Sequence, residues 1–190
     1  VTVTVNPSPV FDNCPGDITV DTDPGVCNAV VSYTASASGV PALTYSYVFT
    51  GATTGNGSGT GSGSTFEKGV TLIVITATNS CGTVTCEFDV TVEDNEVPVL
   101  EDPSVGCSSL NITAVNECLG AATAWDASQL TGSVKALYTD NCDNDLTVTL
   151  TGTSAGTGNS DCSWTFTYTY TITDNCTNSV TCTVTRSGGD

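Results

Sequence analysis

Apolar and polar residues alternate with a period of two along much of the chain, and this alternation limits the possible folds more than any other feature. In Trp164–Thr173, aromatic or aliphatic residues occupy every second position and Thr occupies every position between them. Successive side chains of a β-strand point to opposite faces of the sheet. Thr is β-branched, so it favours strands while keeping the outer face polar. The pattern therefore predicts a strand with one buried face and one solvated face.

Similar alternation recurs in short segments that turn-forming residues separate. It is present at Val1–Val5, Val84–Val92 and Leu146–Leu150, with stretches rich in Asp, Asn and Gly between the segments. Many short strands with such punctuation are typical of β-sandwiches. We therefore predict an all-β fold, with a helix only around Asp126–Ala136.

The chain contains ten cysteines, an even number that full pairing into disulfides requires. This density is typical of extracellular proteins, because thiols in the cytosol stay reduced. The chain has no His, which excludes a mixed Cys/His zinc site. We predict that all ten cysteines form disulfides: Cys14, Cys27, Cys81, Cys86, Cys107, Cys118, Cys142, Cys162, Cys176 and Cys182.

An internal repeat becomes visible when the cysteines are used as anchors. Cys14, Cys27, Cys81 and Cys86 of the first half correspond to Cys107, Cys118, Cys176 and Cys182 of the second half. The second half adds Cys142 and Cys162, which we predict to pair with each other. We therefore predict two tandem β-sandwich domains, at residues 6–96 and 97–190, with a separate N-terminal strand at residues 1–5.

The first domain is similar to the hyalin repeat, a module of extracellular surface and adhesion proteins, including bacterial ones. The matching segments are Cys14–Val20, Gly25–Tyr33, Phe66–Thr71, Thr76–Thr78 and Cys86–Asp94. The resemblance implies an immunoglobulin-like sandwich without catalytic residues. An immunoglobulin-like strand order places Cys14 and the last hairpin at one end of the domain, which predicts a bond from Cys14 to Cys81 or Cys86.

The charge balance excludes several classes of function. Asp and Glu total 20 against 3 Lys and Arg, which gives a net charge of −17. Nucleic acids and anionic membrane surfaces bind cationic proteins, so neither is an expected partner. No apolar run reaches the roughly 20 residues that cross a membrane. A chain without a His base or a cationic clamp is not expected to be an enzyme. We predict an extracellular or cell-surface protein.

The two ends of the chain predict an assembly mode. Val1–Val5 matches the last strand of a repeat, whereas the strand after Cys182 loses its apolar alternation. Strand addition between copies builds head-to-tail fibres. The residues predicted to meet in such a homopolymer are Val1, Val3 and Val5 of one copy and Cys182 and Val184 of the next. Two alternatives remain: a strand donated within a longer covalent array, or one paired within its own domain.

Acidic clusters are candidate cation sites. They comprise Glu93, Asp94 and Glu96 at the domain junction and Asp140, Asp143 and Asp145 in one turn. Carboxylate oxygens suit Ca²⁺, which takes six to eight ligands, although no cofactor is required by the predicted fold. The alternative is a solvated acidic surface in which Asp and Asn stabilise turns.

Other surface features are weaker signals. Asn56, Asn111 and Asn175 begin N-glycosylation motifs, so attached glycans are a possibility. Residues 51–64 are rich in Gly and lack the Lys of a phosphate-binding loop, which predicts a flexible hairpin tip.

Together these features predict a structural protein. We expect a subunit of an extracellular fibre or tandem-repeat stalk that assembles head to tail by β-strand complementation. The alternative is an adhesin or a carbohydrate-binding repeat module of a large cell-surface protein. Exposed aromatic residues would mark such a binding site, and Tyr45, Tyr47 and Trp125 are the candidates.

Overall fold

The computed structural model describes residues 7–190, so the predicted strand at Val1–Val5 lies outside the described residues. The chain divides into two compact units. Unit 1 ends at Asp94 and unit 2 begins at Asn95, close to the boundary that the repeat predicts.

Unit 1 is built of strands in the residues that the structure describes. They are β1 (Val10–Asn13), β2 (Ile18–Asp21), β3 (Asn28–Val31), β4 (Ser36–Ser38), β5 (Thr44–Gly51), β6 (Gly55–Ser58), β7 (Ser64–Glu67), β8 (Gly69–Asn79) and β9 (Gly82–Glu93). The main sheet has the order β2-β9-β8-β5-β6, with β2 parallel to β9 and the other neighbours antiparallel. The pairs β3-β7 and β1-β4 complete an immunoglobulin-like sandwich.

The core of unit 1 lies between the main sheet and the β3-β7 pair. Alternate residues of β8 and β9 point inward, and Phe88, Val90 and Val92 are buried as their spacing predicts. Phe66 of β7 is also fully buried, and its ring centroid lies 5.0 Å from that of Phe49 in β5. Period-two alternation therefore supplies the apolar faces of both layers.

Unit 2 combines strands with short helices. Its strands are β10 (Val99–Leu100), β11 (Ile112–Asn116), β12 (Tyr138–Thr139), β13 (Thr147–Ala155), β14 (Trp164–Thr173) and β15 (Ser179–Gly189). The helices are α1 (Leu119–Ala124) and α2 (Thr131–Lys135), and 3₁₀ turns form at Cys107–Leu110 and Ala127–Leu130. The helix expected around Asp126–Ala136 is confirmed as a 3₁₀ turn followed by α2. Helix α1 lies outside that range and was not expected.

The main sheet of unit 2 repeats the topology of unit 1. Its order is β11-β15-β14-β13, and β11 runs parallel to β15 just as β2 runs parallel to β9. Ala122, Ala127 and Val134 of the helical segment are buried in the same core as β14 and β15. Helices therefore take much of the layer that the β3-β7 pair forms in unit 1.

Strand β14 confirms the alternation from which the fold was predicted. Trp164, Phe166, Tyr168, Tyr170 and Ile172 are all buried, and each Thr between them is half-buried or exposed. The aromatic and aliphatic residues of this one strand thus form the centre of the core of unit 2.

Arg186 corrects the prediction that β15 loses its inward pattern after Val184. Its side chain continues the inward face, is only 6% exposed and forms an ion pair with the carboxylate of Glu117. The guanidinium carbon lies 4.8 Å and 5.0 Å from the ring centroids of Trp125 and Trp164. A planar cation can stack on aromatic faces while its edge binds a carboxylate. Arg186 therefore occupies an inward-facing core position at which the alternation has no apolar residue.

We predict that Arg186→Ala lowers the free energy of unfolding of unit 2 by about 3 kcal/mol, because it leaves a partly buried carboxylate without its cation. Arg186→Lys should be intermediate, because an ammonium group lacks the planar stacking surface. The two tryptophans of the chain, Trp125 and Trp164, both lie in unit 2, so urea unfolding followed by tryptophan fluorescence reports this unit alone. The control Lys135→Ala breaks an exposed ion pair and should cost less than about 1 kcal/mol. Equal losses for Arg186→Ala and Lys135→Ala would contradict the assignment.

Tyr170 should make unit 2 sensitive to alkaline pH. Burial, followed by the charges of Tyr168 and Asp126, raises the pKa of Tyr170 from 10.0 to about 12, and its hydroxyl donates a 2.7 Å hydrogen bond to the carbonyl of Ala127. Between these two pKa values the unfolded chain binds fewer protons than the folded one, so stability falls as pH rises from about 10 to about 12. Tyr170→Phe should reduce this fall in fluorescence-monitored unfolding.

Tyr33→Phe is the matched control. Burial also raises the pKa of Tyr33 to about 12, but Tyr33 lies in unit 1, which contains no tryptophan. Its substitution should leave the fluorescence-monitored pH dependence unchanged. An undiminished fall in the Tyr170→Phe variant would show that this hydroxyl does not cause it.

Candidate functional site

The outer edge of β13 is the most distinctive surface of unit 2. In unit 1, β5 pairs with β8 on one side and with β6 on the other. In unit 2, β13 takes the place of β5 beside β14, and no strand within residues 7–190 pairs with its other side. A row of backbone donors and acceptors along this edge can therefore accept another strand.

The chemistry of β13 suits strand addition. Its nine residues include no charged side chain and no Pro, and all except Val148 and Gly152 are exposed. Natural edge strands are usually protected by charges, Pro, extreme shortness or β-bulges. Of these β13 has only one irregularity, between Leu150 and Gly152, which bends its pairing with β14. We call the outer side of Thr147–Ala155 the β13 edge.

The side chains of Cys182 and Val184 are buried in the core of unit 2, and β15 pairs with β14 from Ser179 to Gly188. The other side of β15 is paired with β11 from Arg186 to Gly189. Before Arg186 that side has no paired strand within residues 7–190, so the contact predicted at Cys182 and Val184 stays a prediction. Val1, Val3 and Val5, the other half of the predicted contact, lie outside the described residues.

The disulfides follow the internal repeat. Cys14 bonds to Cys86 in unit 1, and the corresponding Cys107 bonds to Cys182 in unit 2. This selects Cys86 over Cys81 as the partner of Cys14. Cys86 points inward from β9, whereas Cys81 lies exposed in the β8–β9 turn.

Full pairing of the ten cysteines is not what the structure shows. Cys81, Cys118 and Cys162 carry free thiols, whereas Cys27 and Cys142 are disulfide-bonded. The predicted pairing of Cys142 with Cys162 is therefore wrong. Cys162 precedes the start of β14, whereas Cys142 lies near the sheet end where Thr147 pairs with Thr173. A ten-residue strand separates these ends by roughly 30 Å, far beyond the reach of a disulfide.

The acidic turn after β12 is held by its own carboxylates. The Oδ1 atom of Asp140 accepts hydrogen bonds from the backbone N–H groups of Cys142 and Asp143, at 2.9 and 3.0 Å. Asp143 Oδ1 accepts from the backbone of Asp145 at 2.9 Å. The hydrogen bond and charge of Lys135 lower the pKa of Asp145 below its usual value. These contacts are those of turn-stabilising acids.

Asp174 is a site residue that the sequence reasoning missed. Its Oδ1 atom accepts from the backbone of Cys176 at 2.8 Å, as Asp140 Oδ1 does from Cys142, and one oxygen of each carboxylate lies within 4.8 Å of the other. The signal was the tripeptide Asp-Asn-Cys, which occurs at both positions. Two carboxylates are fewer than the ligands Ca²⁺ requires, so Ca²⁺ binding stays a prediction.

The junction acids belong to different units. Glu93 ends β9 and Asp94 follows it in unit 1, where a carboxylate oxygen of Asp94 lies 3.6 Å from Nζ of Lys68. Glu96 lies at the start of unit 2. Asp94 is buried, so its ion pair with Lys68 is a structural contact of unit 1.

The three glycosylation motifs differ in their surroundings. Asn56 is exposed in β6, and Asn175 is exposed in the β14–β15 turn. Asn111 is also exposed, but its Oδ1 accepts a 2.8 Å hydrogen bond from the backbone of Thr185. Glycosylation stays a prediction at all three positions.

The Gly-rich segment 51–64 is not a flexible tip. It contains β6, and the hydroxyl of Tyr33 donates a 2.8 Å hydrogen bond to the carbonyl of Thr60. A Cβ atom at Gly61 would lie 2.6 Å from the ring of Phe49, so Gly allows this backbone to lie against the aromatic core. The prediction failed because composition does not reveal such contacts.

The candidate aromatics pack against the two cores. Tyr45 and Tyr47 are partly buried against the core of unit 1, and the hydroxyl of Tyr45 exchanges hydrogen bonds with the backbone of Ala37. The Trp125 ring centroid lies 5.2 Å from that of Tyr168 in unit 2. These side chains are therefore committed to packing rather than to an exposed binding platform.

No protein-family model and no curated protein sequence matches this chain. The hyalin-repeat resemblance therefore stays a prediction. Among the residues that the structure describes, no helix is long and apolar enough to cross a membrane.

Several solved structures are similar to the chain. The titin domains Z1Z2 in complex with telethonin have 13% identity and a TM-score of 0.43, with 98% of this chain and 100% of that chain covered. Drosophila N-cadherin EC1–4 has 13% identity and a TM-score of 0.44, with 97% and 50% covered. The N-terminal four Ig domains of Dscam1 have 14% identity and a TM-score of 0.39, with 98% and 47% covered. The chain thus spans about half the length of the last two.

We predict that Asp140→Ala lowers the free energy of unfolding of unit 2 by about 1–2 kcal/mol, because two backbone N–H groups lose their acceptor. Asp140→Asn keeps an Oδ1 acceptor and should retain most of the stability. Fluorescence-monitored urea unfolding, run in Ca²⁺ and in EDTA, should give the same loss in both buffers. A loss that appears only in Ca²⁺ would contradict the turn role and favour a cation site.

Proposed function

We propose that this protein is a structural subunit of an extracellular, surface-attached assembly in which copies join by β-strand addition. The observation that carries the proposal is the β13 edge, which is long, uncharged and without a paired strand within residues 7–190. Disulfides within each unit suit an extracellular location. The role as a structural protein rather than an enzyme is part of the same proposal.

The proposed occupant of the β13 edge is residues Val1–Val5 of a second copy. Their sequence alternates Val and Thr, two β-branched residues that favour strands. Like β13, they carry no charged side chain, so the contact places no charge against another on these acidic chains. Five residues span about 16 Å, which is shorter than the nine-residue β13 edge. In strand addition, main-chain hydrogen bonds provide the affinity, and the alternate side chains of the added strand determine how it aligns with the acceptor strand.

Two substitutions test the contact from its two sides. Val3→Asp places a charge within the donated strand, and Thr149→Glu places one on the exposed face of the β13 edge. The matched control is Thr165→Glu, which adds the same charge to an exposed Thr of β14, a strand with neighbours on both sides. Tryptophan fluorescence should show that unit 2 stays folded in every variant.

We expect negative-stain electron microscopy to show filaments for the unmodified chain and for Thr165→Glu. Val3→Asp, Thr149→Glu and a chain without residues 1–5 should give separate particles, because each removes the added strand or places at the contact a carboxylate that would lose its water. Filaments of Thr149→Glu would exclude the β13 edge as the acceptor. Separate particles from the unmodified chain would contradict assembly by strand addition.

A further inference from the structure

Two exposed cysteines of unit 2, Cys118 and Cys162, lie on neighbouring segments although they are 44 residues apart in sequence (162 minus 118). Cys118 immediately precedes α1, and Cys162 lies in the tight turn before β14. Both carry free thiols in the structure. Their surroundings show that the two segments are fixed against each other.

Hydrogen bonds on both sides of Cys118 reach the segment that contains Cys162. Before it, the carbonyl of Glu117 accepts a 2.9 Å hydrogen bond from the indole Nε1 of Trp164. After it, the backbone N–H of Leu119 donates a 3.1 Å hydrogen bond to Oδ1 of Asp161. Both chain neighbours of Cys118 are therefore hydrogen-bonded to the segment around Cys162. Asp161 lies one residue before Cys162, and Trp164 lies two residues after it.

The end of β15 provides a third connection between the two segments. Gly189 is the register partner of Asn116, two residues before Cys118. A Cβ atom at Gly189 would lie 2.2 Å from the carbonyl oxygen of Cys162, so only the absence of a side chain allows this approach. The backbone N–H of Asp190 also donates a 3.0 Å hydrogen bond to the carbonyl of Asp161.

We infer that Cys118 and Cys162 form a surface disulfide within unit 2, which joins the start of α1 to the β13–β14 turn. A disulfide requires Cα atoms within about 7 Å of each other. The turn is closed by two hydrogen bonds between Ser160 and Ser163, at 2.8 and 3.2 Å, which leaves Cys162 at its exposed tip. Both cysteines are exposed, so the bond would form at the surface of unit 2.

The oxidant is a disulfide compound, either a small-molecule disulfide or the disulfide form of a thiol oxidoreductase of the secretory route. The thiolate of one cysteine attacks the oxidant, whose S–S bond breaks to give a mixed disulfide and one thiolate. The thiolate of the other cysteine then attacks the mixed disulfide and releases the second thiolate. The two protons lost by the cysteines and the two electrons are recovered in the two thiols of the reduced oxidant.

The bond would restrict the segment between α1 and β14 in the unfolded chain. It closes a loop of 44 residues that contains α1, α2 and β13. This loop is shorter than the one closed by the disulfide between Cys107 and Cys182, whose sequence separation is 75. Removing the Cys118–Cys162 bond should lower the melting temperature of unit 2 by roughly 10 °C.

Peptide mapping of the unmodified chain, secreted into an oxidising compartment, tests the inference directly. Thiols are blocked with iodoacetamide under denaturing conditions, and the chain is cleaved after Asp and Glu. This releases Cys118 within residues 118–126 and Cys162 within residues 162–174, each as the single cysteine of its peptide. We expect these two peptides to be joined until a reductant is added. Alkylation of both cysteines, or a link from either to another peptide, would overturn the inference.

Single variants give a second test. Cys118→Ser should expose Cys162 to iodoacetamide, and Cys162→Ser should expose Cys118, with the same fall in melting temperature in both. Cys81→Ser is the matched control, because Cys81 is also an exposed thiol but lies in unit 1. It should leave the joined peptides and the melting temperature of unit 2 unchanged. Loss of the joined peptides in Cys81→Ser would likewise overturn the pairing.

Discussion

In each unit, a disulfide ties the segment before the first strand of the main sheet to the last strand of that sheet. Cys14 and Cys86 are 72 residues apart, and Cys107 and Cys182 are 75 residues apart. A bond that closes so long a loop lowers the conformational entropy of the unfolded chain, which stabilises the folded state by about 4 kcal/mol. It also holds β2 beside β9 and β11 beside β15, the parallel pairs that turns cannot form. The topology of each sheet therefore depends on the disulfide of its own unit.

The sequence predicted the parts of the structure that depend on local pattern. Alternation in Trp164–Thr173 gave the correct buried face, because a residue's face in a strand depends only on its position along that strand. The expected immunoglobulin-like strand order limited the predicted partners of Cys14 to Cys81 and Cys86. Arg186 was missed because its burial depends on Glu117 and two Trp rings that are distant in sequence. Non-local contacts of this kind leave no periodic signal.

The candidate site was only partly predictable for the same reason. A strand-addition edge was expected at Cys182 and Val184, from the weak alternation that follows them. Whether an edge is open depends on which strands become its neighbours, and β11 covers β15 only from Arg186 to Gly189. The β13 edge was not expected, because the sequence of β13 resembles that of the other strands. The missing neighbour, rather than the strand itself, creates the site.

The two units differ at one edge of the main sheet. In unit 1, the Gly-rich segment forms β6 and extends the sheet beyond β5, whereas β13 of unit 2 has no such neighbour within residues 7–190. With a net charge of −17, two copies repel each other wherever acidic surfaces meet. Backbone hydrogen bonding between two uncharged strands avoids that cost, because neither side must bury a carboxylate. The β13 edge is therefore a surface at which two acidic chains can associate without placing carboxylates against each other.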